Sequence, residues 1–370
     1  MKKILLLVIA ALTVLALCSC DKTYEPVAST EEEARVVMKL SIDGSEYDVK
    51  YELYRALFVG NRSIVDGGDI SVWTGDGSAE YVNEINEIIK EKASYIYSVL
   101  HAAKKVGINP YSVDADNMVK EAIRISVEGD SAGEHSGHGS YENFLESLAR
   151  DGLNYSVADL LLRYSWAYEK LYVYYKGTEN ALGVLTGGKL DTGDEKLLEF
   201  YNGEDSVRVL DAFFAKNTQK SEYWLESFRN ALYSASSELN RALYIINHSA
   251  VVGSELIIDG KVVGITVGRY SQEDLYYSEY VEAAFNMSVG DVSGVIYIDG
   301  VNDGESDGAH VIVKLDKSAE YFEENKDAVL EAYISNEIGK IIYTAKQTLA
   351  QSATLTEDYS RISHESMAGN

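Results

Sequence analysis

The sequence contains very little cysteine, a deficit of basic residues and only one long apolar run. Cys18 and Cys20 are the only cysteines among 370 residues, which excludes a disulfide framework over the rest of the chain. Asp and Glu number 59 against 33 Lys and Arg, and the formal net charge is −26. A surface of this charge repels nucleic acid and anionic lipid headgroups. Stability must therefore come from packed cores, and the length predicts two or three domains.

The apolar run lies at the start of the chain. Two lysines precede residues 4–17, which are almost all apolar, and this pattern is typical of a signal peptide. The run is too short for a comfortable transmembrane helix. It ends in Leu17-Cys18-Ser19-Cys20, which resembles a lipobox with a small residue before the lipid-bearing cysteine. We predict a signal peptide over residues 1–19 and a lipid anchor on Cys20. The alternatives are an anchor on Cys18 and an ordinary secretory signal.

A polar segment and then a strand follow the predicted anchor. Residues 20–33 are acidic without an apolar period, which predicts a tether ahead of a folded body that starts near Ala34. The composition of Val36–Ile42 predicts a strand. Asp43-Gly44 predicts a turn, after which Ser45 is predicted to cap a helix.

Helical patterns fill most of the sequence up to residue 200. Apolar residues at three- and four-residue steps predict a long amphipathic helix over residues 80–106, after a glycine-rich separator at 60–77. Ser112 is predicted to cap the next helix, and Ser156 a later one. The 28 tyrosines are interpreted mainly as core, with a surface that grasps peptides as the alternative.

Two loops contain residue types that bind metal ions. His135 and His138 have the spacing of two ligands on a turn, with Asp130 and Glu134 nearby, but no second ligand pair has a matching spacing. The acidic loop at residues 299–308 does not follow the EF-hand register. We therefore predict solvated loops, no metal and no cofactor.

The order of these elements resembles that of a known family. A strand and a long helix that ends at Gly107-Ile108 are followed by Phe144-Leu145, Leu162-Arg163 and Tyr168-Glu169-Lys170-Leu171. In this order they resemble the N-terminal chaperone region of the PrsA/SurA-type foldases. Residues 192–201 are similar to the acidic capped helix that follows this region in the family.

The most specific part of the resemblance lies nearer the C-terminus. Residues 280–295 and 308–315 resemble the end of a parvulin domain and its closing strand. The resemblance implies an α+β protein, with a helical SurA-like chaperone domain and a parvulin-like domain built as a four-stranded antiparallel sheet wrapped by helices. The implied divisions are a chaperone region at 34–200, a parvulin-like domain at 205–317, a C-terminal helix at 318–350 that completes the chaperone domain, and a tail at 351–370.

The resemblance also implies a site for prolyl isomerisation, a reaction that needs no nucleophile or metal. The enzyme stabilises a twisted amide with an apolar pocket and hydrogen-bonding groups. By resemblance, Phe285 and Tyr280 correspond to helix residues near the proline pocket, and Tyr276 to the pocket methionine. His310 corresponds to the histidine of the last strand. Core packing is the alternative role for these side chains.

The front half of the parvulin-like region departs from the family pattern. Residues 207–214 place Asp211 near the position of a family histidine, so the paired-histidine network of the family is incomplete. We nevertheless predict His310 and Asp211 as the catalytic pair. The central cysteine or aspartate of the family has no secure counterpart, and His248 is a candidate substitute for it.

Together these features predict a membrane-anchored extracytoplasmic foldase that binds unfolded or proline-containing exported polypeptides and catalyses prolyl isomerisation. The alternative is a non-catalytic holdase or assembly factor whose degenerate parvulin domain only binds peptide. A solute-binding or adhesion lipoprotein is a third reading, against which the order of domains counts. The expected partners are client polypeptides and a membrane, with no nucleic acid.

Overall fold

The computed structural model of the protein describes residues 24–75, 77–130, 136–179, 185–215, 220–248, 257–258, 261–270, 278–298 and 308–369. Within these ranges the helices are α1 Tyr51–Asp66, α2 Ser78–Lys105, α3 Val113–Glu128, α4 Tyr141–Arg150, α5 Tyr155–Lys176, α6 Asp194–Asn202, α7 Glu222–Ser234, α8 Glu238–His248, α9 Ser278–Asn286, α10 Ala319–Glu324, α11 Lys326–Ser352 and α12 His364–Ala368. The strands are β1 Val36–Ile42, β2 Ser45–Lys50, β3 Thr178–Glu179, β4 Leu185–Thr186, β5 Ser206–Ala215, β6 Ile257–Ile258, β7 Lys261–Val262, β8 Ile265–Gly268, β9 Ile296–Ile298, β10 Gly308–Leu315 and β11 Thr354–Leu355. Short 3₁₀ helices occupy Ile70–Trp73 and Glu357–Arg361.

The fold is α+β, and its sheets are antiparallel. The chain divides into two compact units, one formed by residues up to Leu171 together with Ile342 onward, the other by Tyr172–Ile341. The first unit is therefore discontinuous in sequence. None of the helices that the structure describes combines the length and apolarity needed to cross a bilayer.

A hairpin opens the first unit. Asp43 and Gly44 both have positive φ, 50° and 73°, which is the backbone of a two-residue turn that reverses a strand. The chain therefore returns as β2, with Ile42 paired to Ser45. The prediction that Ser45 caps a helix is wrong, because the segment after it alternates in burial with a period of two, ending on the buried Val49.

The helices of the first unit largely follow the predicted pattern. The predicted long helix is confirmed as α2, in which Ile85, Ile89 and Ala93 are fully buried. Ser112 caps α3 as predicted, and its hydroxyl accepts from the Ala115 amide at 3.3 Å. The predicted separator at 60–77 is shorter than expected, because α1 continues through Asp66 and ends only at Gly67, in the left-handed conformation. At α5 the cap is Asn154 rather than Ser156, since the Asn154 side chain accepts from the Val157 amide at 3.0 Å.

Both predicted loose ends of the first unit are packed in the structure. From Tyr24 onward the predicted tether contacts the folded body, with the Tyr24 ring stacked on that of Tyr141 at 5.0 Å. The predicted tail is wrong as well, because β11 pairs with β1 and the side chains of Met367 and Ala368 are buried. The partners of the C-terminal segment lie about three hundred residues earlier in the chain, as with the bond between Thr356 and Val37, so local sequence could not reveal them.

The second unit contains a four-stranded antiparallel sheet in the order β8-β5-β10-β9. One face carries a core of Leu210, Phe214 and Val311 against α7 and α8. The other face carries Val209 and Ile312 against α9. Helices therefore cover both faces of this sheet, as predicted, and β5 is apolar on both sides because it is a central strand.

Candidate functional site

The strand register places three side chains next to each other, one of which was a predicted site residue. His310 on β10 pairs with Phe213 on β5 and with Ile296 on β9. Partners in register point to the same face of a sheet, so these three side chains lie side by side. This face is the one covered by α9, because His310 alternates with Ala309 and Val311, which belong to the opposite core.

His310 and Asp211 form a close pair. The imidazole Nδ1 lies 3.0 Å from Oδ2 of Asp211 and 3.1 Å from Oδ1. A carboxylate can only accept a hydrogen bond, so the geometry assigns the proton to Nδ1. Both side chains are largely buried, with 9% of His310 and 14% of Asp211 exposed. The sequence prediction had placed these two residues in one site, and the structure brings them into contact.

Two aromatic rings enclose the imidazole. The Phe213 ring centroid lies 4.8 Å from that of His310, and the Tyr280 ring meets it edge-on at 5.5 Å. Phe213 is 6% exposed and Tyr280 is 3% exposed. The sequence prediction did not select Phe213, although its position two residues after Asp211 on a strand places both on one face.

The remaining ring nitrogen of His310 is the unusual feature of this pocket. Its Nε2 is buried, and no described residue is within hydrogen-bonding distance of it. A buried polar atom without a partner costs about 1–3 kcal/mol, so such an atom is retained where a ligand or water completes it. The group therefore combines two aromatic rings with one polar nitrogen that can accept a hydrogen bond. We call His310, Asp211, Phe213, Tyr280 and Ile296 the His310 pocket.

Phe285 does not lie in the His310 pocket. The guanidinium of Arg269 covers its ring at 4.3 Å. Arg269 directly follows β8, whose last residue pairs with Ser206, seven residues along β5 from Phe213. Ser206 and Phe213 are about 23 Å apart along β5, at 3.3 Å per residue, and Arg269 lies at the Ser206 end. Phe285 therefore lies toward the other end of the strand, and Tyr280 is the aromatic residue of α9 that contacts His310.

A lysine near Phe285 is held by the end of α9. Lys314 donates to the carbonyls of Phe285 and Met287 at 3.1 and 2.7 Å, and so satisfies the last turn of the helix. Burial lowers the pKa of Lys314 below its ordinary value, and repulsion from Arg269 lowers it further. These contacts are consistent with a structural role for the Phe285 end of α9.

His248 is not part of the pocket either. It is an exposed residue at the end of α8, with its ring stacked on Tyr244 at 4.1 Å and Phe228 nearby at 6.4 Å. Phe228 belongs to the core on the opposite face of the sheet from His310. His248 therefore cannot replace a missing member of the His310 network, and this prediction is wrong.

Two predicted site residues, Cys20 and Tyr276, lie outside the described residues, as do His135 and residues 299–307. His138 is described, and its ring packs near Phe144 at 5.8 Å. Within the part of the chain that the structure describes, no group of three or more His, Cys, Asp or Glu side chains could hold a metal ion.

Comparison with known proteins gives only distant likenesses. No protein-family model and no curated protein matches the chain. Among solved structures, the chain is similar to the foldase protein PrsA of Streptococcus pneumoniae, at 14% identity over 86% of this chain and 96% of that one, with a TM-score of 0.27. It is also similar to PrsA of Bacillus subtilis, at 16% identity over 86% of this chain and 93% of that one, with a TM-score of 0.24. At these TM-scores the likeness does not establish a shared fold.

Proposed function

We propose that this protein is a lipid-anchored extracytoplasmic foldase whose sheet domain is parvulin-like and accelerates prolyl isomerisation in client polypeptides. The observation that carries the proposal is the His310 pocket: a buried imidazole nitrogen without a partner among the described residues, fixed by Asp211 and enclosed by two aromatic rings. The resemblance of residues 280–295 and 308–315 to a parvulin domain gives the same site from sequence.

The chemistry of the pocket suits this reaction. Amide resonance gives the peptide bond its double-bond character and a barrier of about 18–20 kcal/mol, and rotation requires that resonance to be lost. A twisted amide has less charge separation than a planar one, so an aromatic pocket favours it relative to water. Phe213 and Tyr280 supply that apolar surface. With the proton on Nδ1, His310 Nε2 can accept from the backbone N–H of a residue next to the proline, and Asp211 fixes the orientation of the ring.

The alternative of a non-catalytic holdase has one observation in its favour. His310, Phe213, Ile296 and Tyr280 are each less than a tenth exposed, so the pocket is covered in this conformation. A client could reach it only after the covering side chains move. If that opening is rare, binding and catalysis at His310 are both weakened, and clients would be held by other surfaces of the protein.

The first experiment measures the cis-to-trans relaxation of a short proline peptide by NMR, with residues 21–370 of the wild type. His310→Ala removes the polar nitrogen, and we expect it to lower kcat/KM by about tenfold or more. Asp211→Asn keeps an acceptor for Nδ1 but loses the charge-assisted bond, so we expect a smaller loss. The matched control is His248→Ala, an exposed histidine on the opposite face, which should leave the rate unchanged.

The same proteins separate the two functions. Suppression of aggregation of an unfolded client, together with no acceleration of the peptide, would favour the holdase. Acceleration that survives His310→Ala, in a protein with unchanged circular dichroism, would contradict the role given to the pocket. Absence of both activities would reject the foldase proposal.

The anchor needs a separate test. Wild type and Cys20→Ser are expressed in a bacterial host, and the membrane fraction is extracted and its mass measured. We expect the wild type to carry a diacylglycerol-modified N-terminal cysteine and the variant to lose it. An unmodified wild-type protein would reject the lipid anchor.

A further inference from the structure

The predicted tether is attached to the first unit at its very beginning. The Tyr24 ring stacks on Tyr141 with a centroid separation of 5.0 Å and an interplanar angle of 28°. Its hydroxyl donates to Oε1 of Glu128, at the end of α3, at 2.8 Å. In return, the Tyr141 hydroxyl donates to the carbonyl of Glu25 at 2.6 Å. Tyr24 is therefore bound both through its ring and through its polar atoms. We call residues 24–33 the strap.

A second attachment holds the middle of the strap. The Ser29 hydroxyl donates to the carboxylate of Glu52, which is 3% exposed. Asn154 and Ser156 donate to the same carboxylate, each at 2.8 Å. A buried carboxylate that gathers three donors is a strong attachment point, because losing a donor would leave a charged oxygen unsatisfied. The strap is thus fixed at Tyr24 and again at Ser29.

This attachment limits the distance between the first unit and the residue proposed to carry lipid. Only residues 21–23 separate Cys20 from Tyr24, so their Cα atoms lie four residue steps apart. A fully extended chain covers at most about 14 Å over four steps. If the chain were attached only from Ser29, nine steps would allow about 32 Å.

We infer that the tip of the first unit formed by Tyr24, Tyr141 and the end of α3 faces the phospholipid surface, held within about 14 Å of the lipid-bearing residue. This inference rests on the proposed lipid anchor at Cys20. The chemistry of the tip suits such a position, since tyrosine is favoured at membrane interfaces, where one side is apolar and the other wet. The carboxylates of Glu25 and Glu128 at the same tip oppose insertion, so the tip lies against the headgroups without entering the bilayer.

The test measures the height of this tip above a membrane. Once the signal peptide is removed and Cys20 carries lipid, an introduced cysteine is the only thiol in the chain. Glu142→Cys, an exposed position beside Tyr141, is labelled with a donor fluorophore. The lipidated protein is reconstituted into phosphatidylcholine vesicles that contain a trace of acceptor-labelled lipid, and energy transfer is recorded after the vesicles are floated on a density gradient.

Two variants change the reach of the chain. An insertion of about ten Gly and Ser residues after Asp21 extends the maximum reach to about 50 Å. Tyr24→Ala combined with Tyr141→Phe, which removes the bond to the Glu25 carbonyl, releases the first attachment, so that the maximum reach more than doubles. With a donor and acceptor whose Förster distance is shorter than the added reach, we expect strong energy transfer for the parent protein and a large loss in both variants. The matched control is Tyr223→Ala, an 83% exposed tyrosine in the second unit, which should leave the transfer unchanged.

The possible outcomes distinguish failure of the membrane-facing tip from failure of the proposed lipid anchor at Cys20. Protein that floats with the vesicles but shows the same transfer with and without the insertion would overturn the inference while the lipid anchor stands. A large loss with the insertion but none when Tyr24→Ala and Tyr141→Phe are combined would also overturn it, because the strap would then not hold the tip near the membrane. Protein that does not float at all would reject the anchor and the inference together.

Discussion

Protonation of His364 should destabilise the first unit at mildly acidic pH. The His364 ring lies among Tyr54, Phe58 and Trp73, with ring centroids 6.0, 5.7 and 6.4 Å away. The Tyr54 hydroxyl donates to Asn86 at 2.6 Å, so its oxygen accepts from Nε2 of His364 at 2.8 Å. Burial lowers the pKa of His364 from 6.5 to about 4. The folded state therefore favours the neutral imidazole.

The sign and size of the effect follow from that difference in pKa. A histidine with a depressed folded pKa contributes its stability above the unfolded pKa of 6.5, and loses it as the pH falls toward 4. At pH 5 the unfolded chain binds almost one proton at this residue, whereas the folded chain binds about a tenth of one. Integrating this difference from pH 7 to pH 5 removes about 2 kcal/mol from the free energy of unfolding.

Urea unfolding at pH 7 and pH 5 measures this loss. Replacing Trp166 and Trp224 with Phe leaves the buried Trp73 as the only tryptophan, so that its fluorescence reports on the first unit. The comparison variant is His364→Gln, which keeps a donor for Tyr54 but does not titrate. We expect the parent to lose about 2 kcal/mol more than the variant between the two pH values. Equal losses would refute the role of His364.

Three further expectations concern other buried contacts. The Arg208 guanidinium donates to three backbone carbonyls and stacks on the Tyr321 ring at 4.3 Å. Arg208→Lys should therefore lower the free energy of unfolding of the second unit by about 3 kcal/mol in urea. A change under about 1 kcal/mol would contradict this. Burial lowers the pKa of Lys317 to about 8. The ¹⁵N chemical shift of its amine should therefore titrate with a midpoint near pH 8. A midpoint above pH 10 would be inconsistent with its burial. Deleting residues 356–369, which bury Met367 and Ala368, should destabilise the first unit by about 3 kcal/mol, whereas removing only residues 369–370 should not.

Local sequence was sufficient for elements whose pattern repeats along the chain. The long helix α2 could be predicted because Ile85, Ile89 and Ala93 recur on one face, and all three are fully buried. Local sequence was misleading at Ser45, because a serine suits both a helix cap and a strand. The difference there lies in the two positive φ angles of Asp43 and Gly44, which direct the chain back into a hairpin.

Contacts between distant parts of the chain were less predictable. His310 and Asp211 were placed together only through a family resemblance, and the strand register explains why they meet. Phe213 was missed because its role depends on which face of β5 is turned toward α9. The packing of His364 against Trp73 joins residues 291 positions apart, and nothing in either local sequence indicates it.

The most direct test of the central claim asks whether a proline peptide binds at the His310 pocket. The protein is labelled with ¹⁵N-histidine, and the imidazole nitrogens are followed by NMR while a proline peptide is added, with its alanine counterpart as the comparison. We expect the Nε2 resonance of His310 to shift with the proline peptide, because that nitrogen has no partner among the described residues, while the His248 resonances stay unchanged. A shift at His248 alone, or none at His310 at saturating peptide, would contradict it.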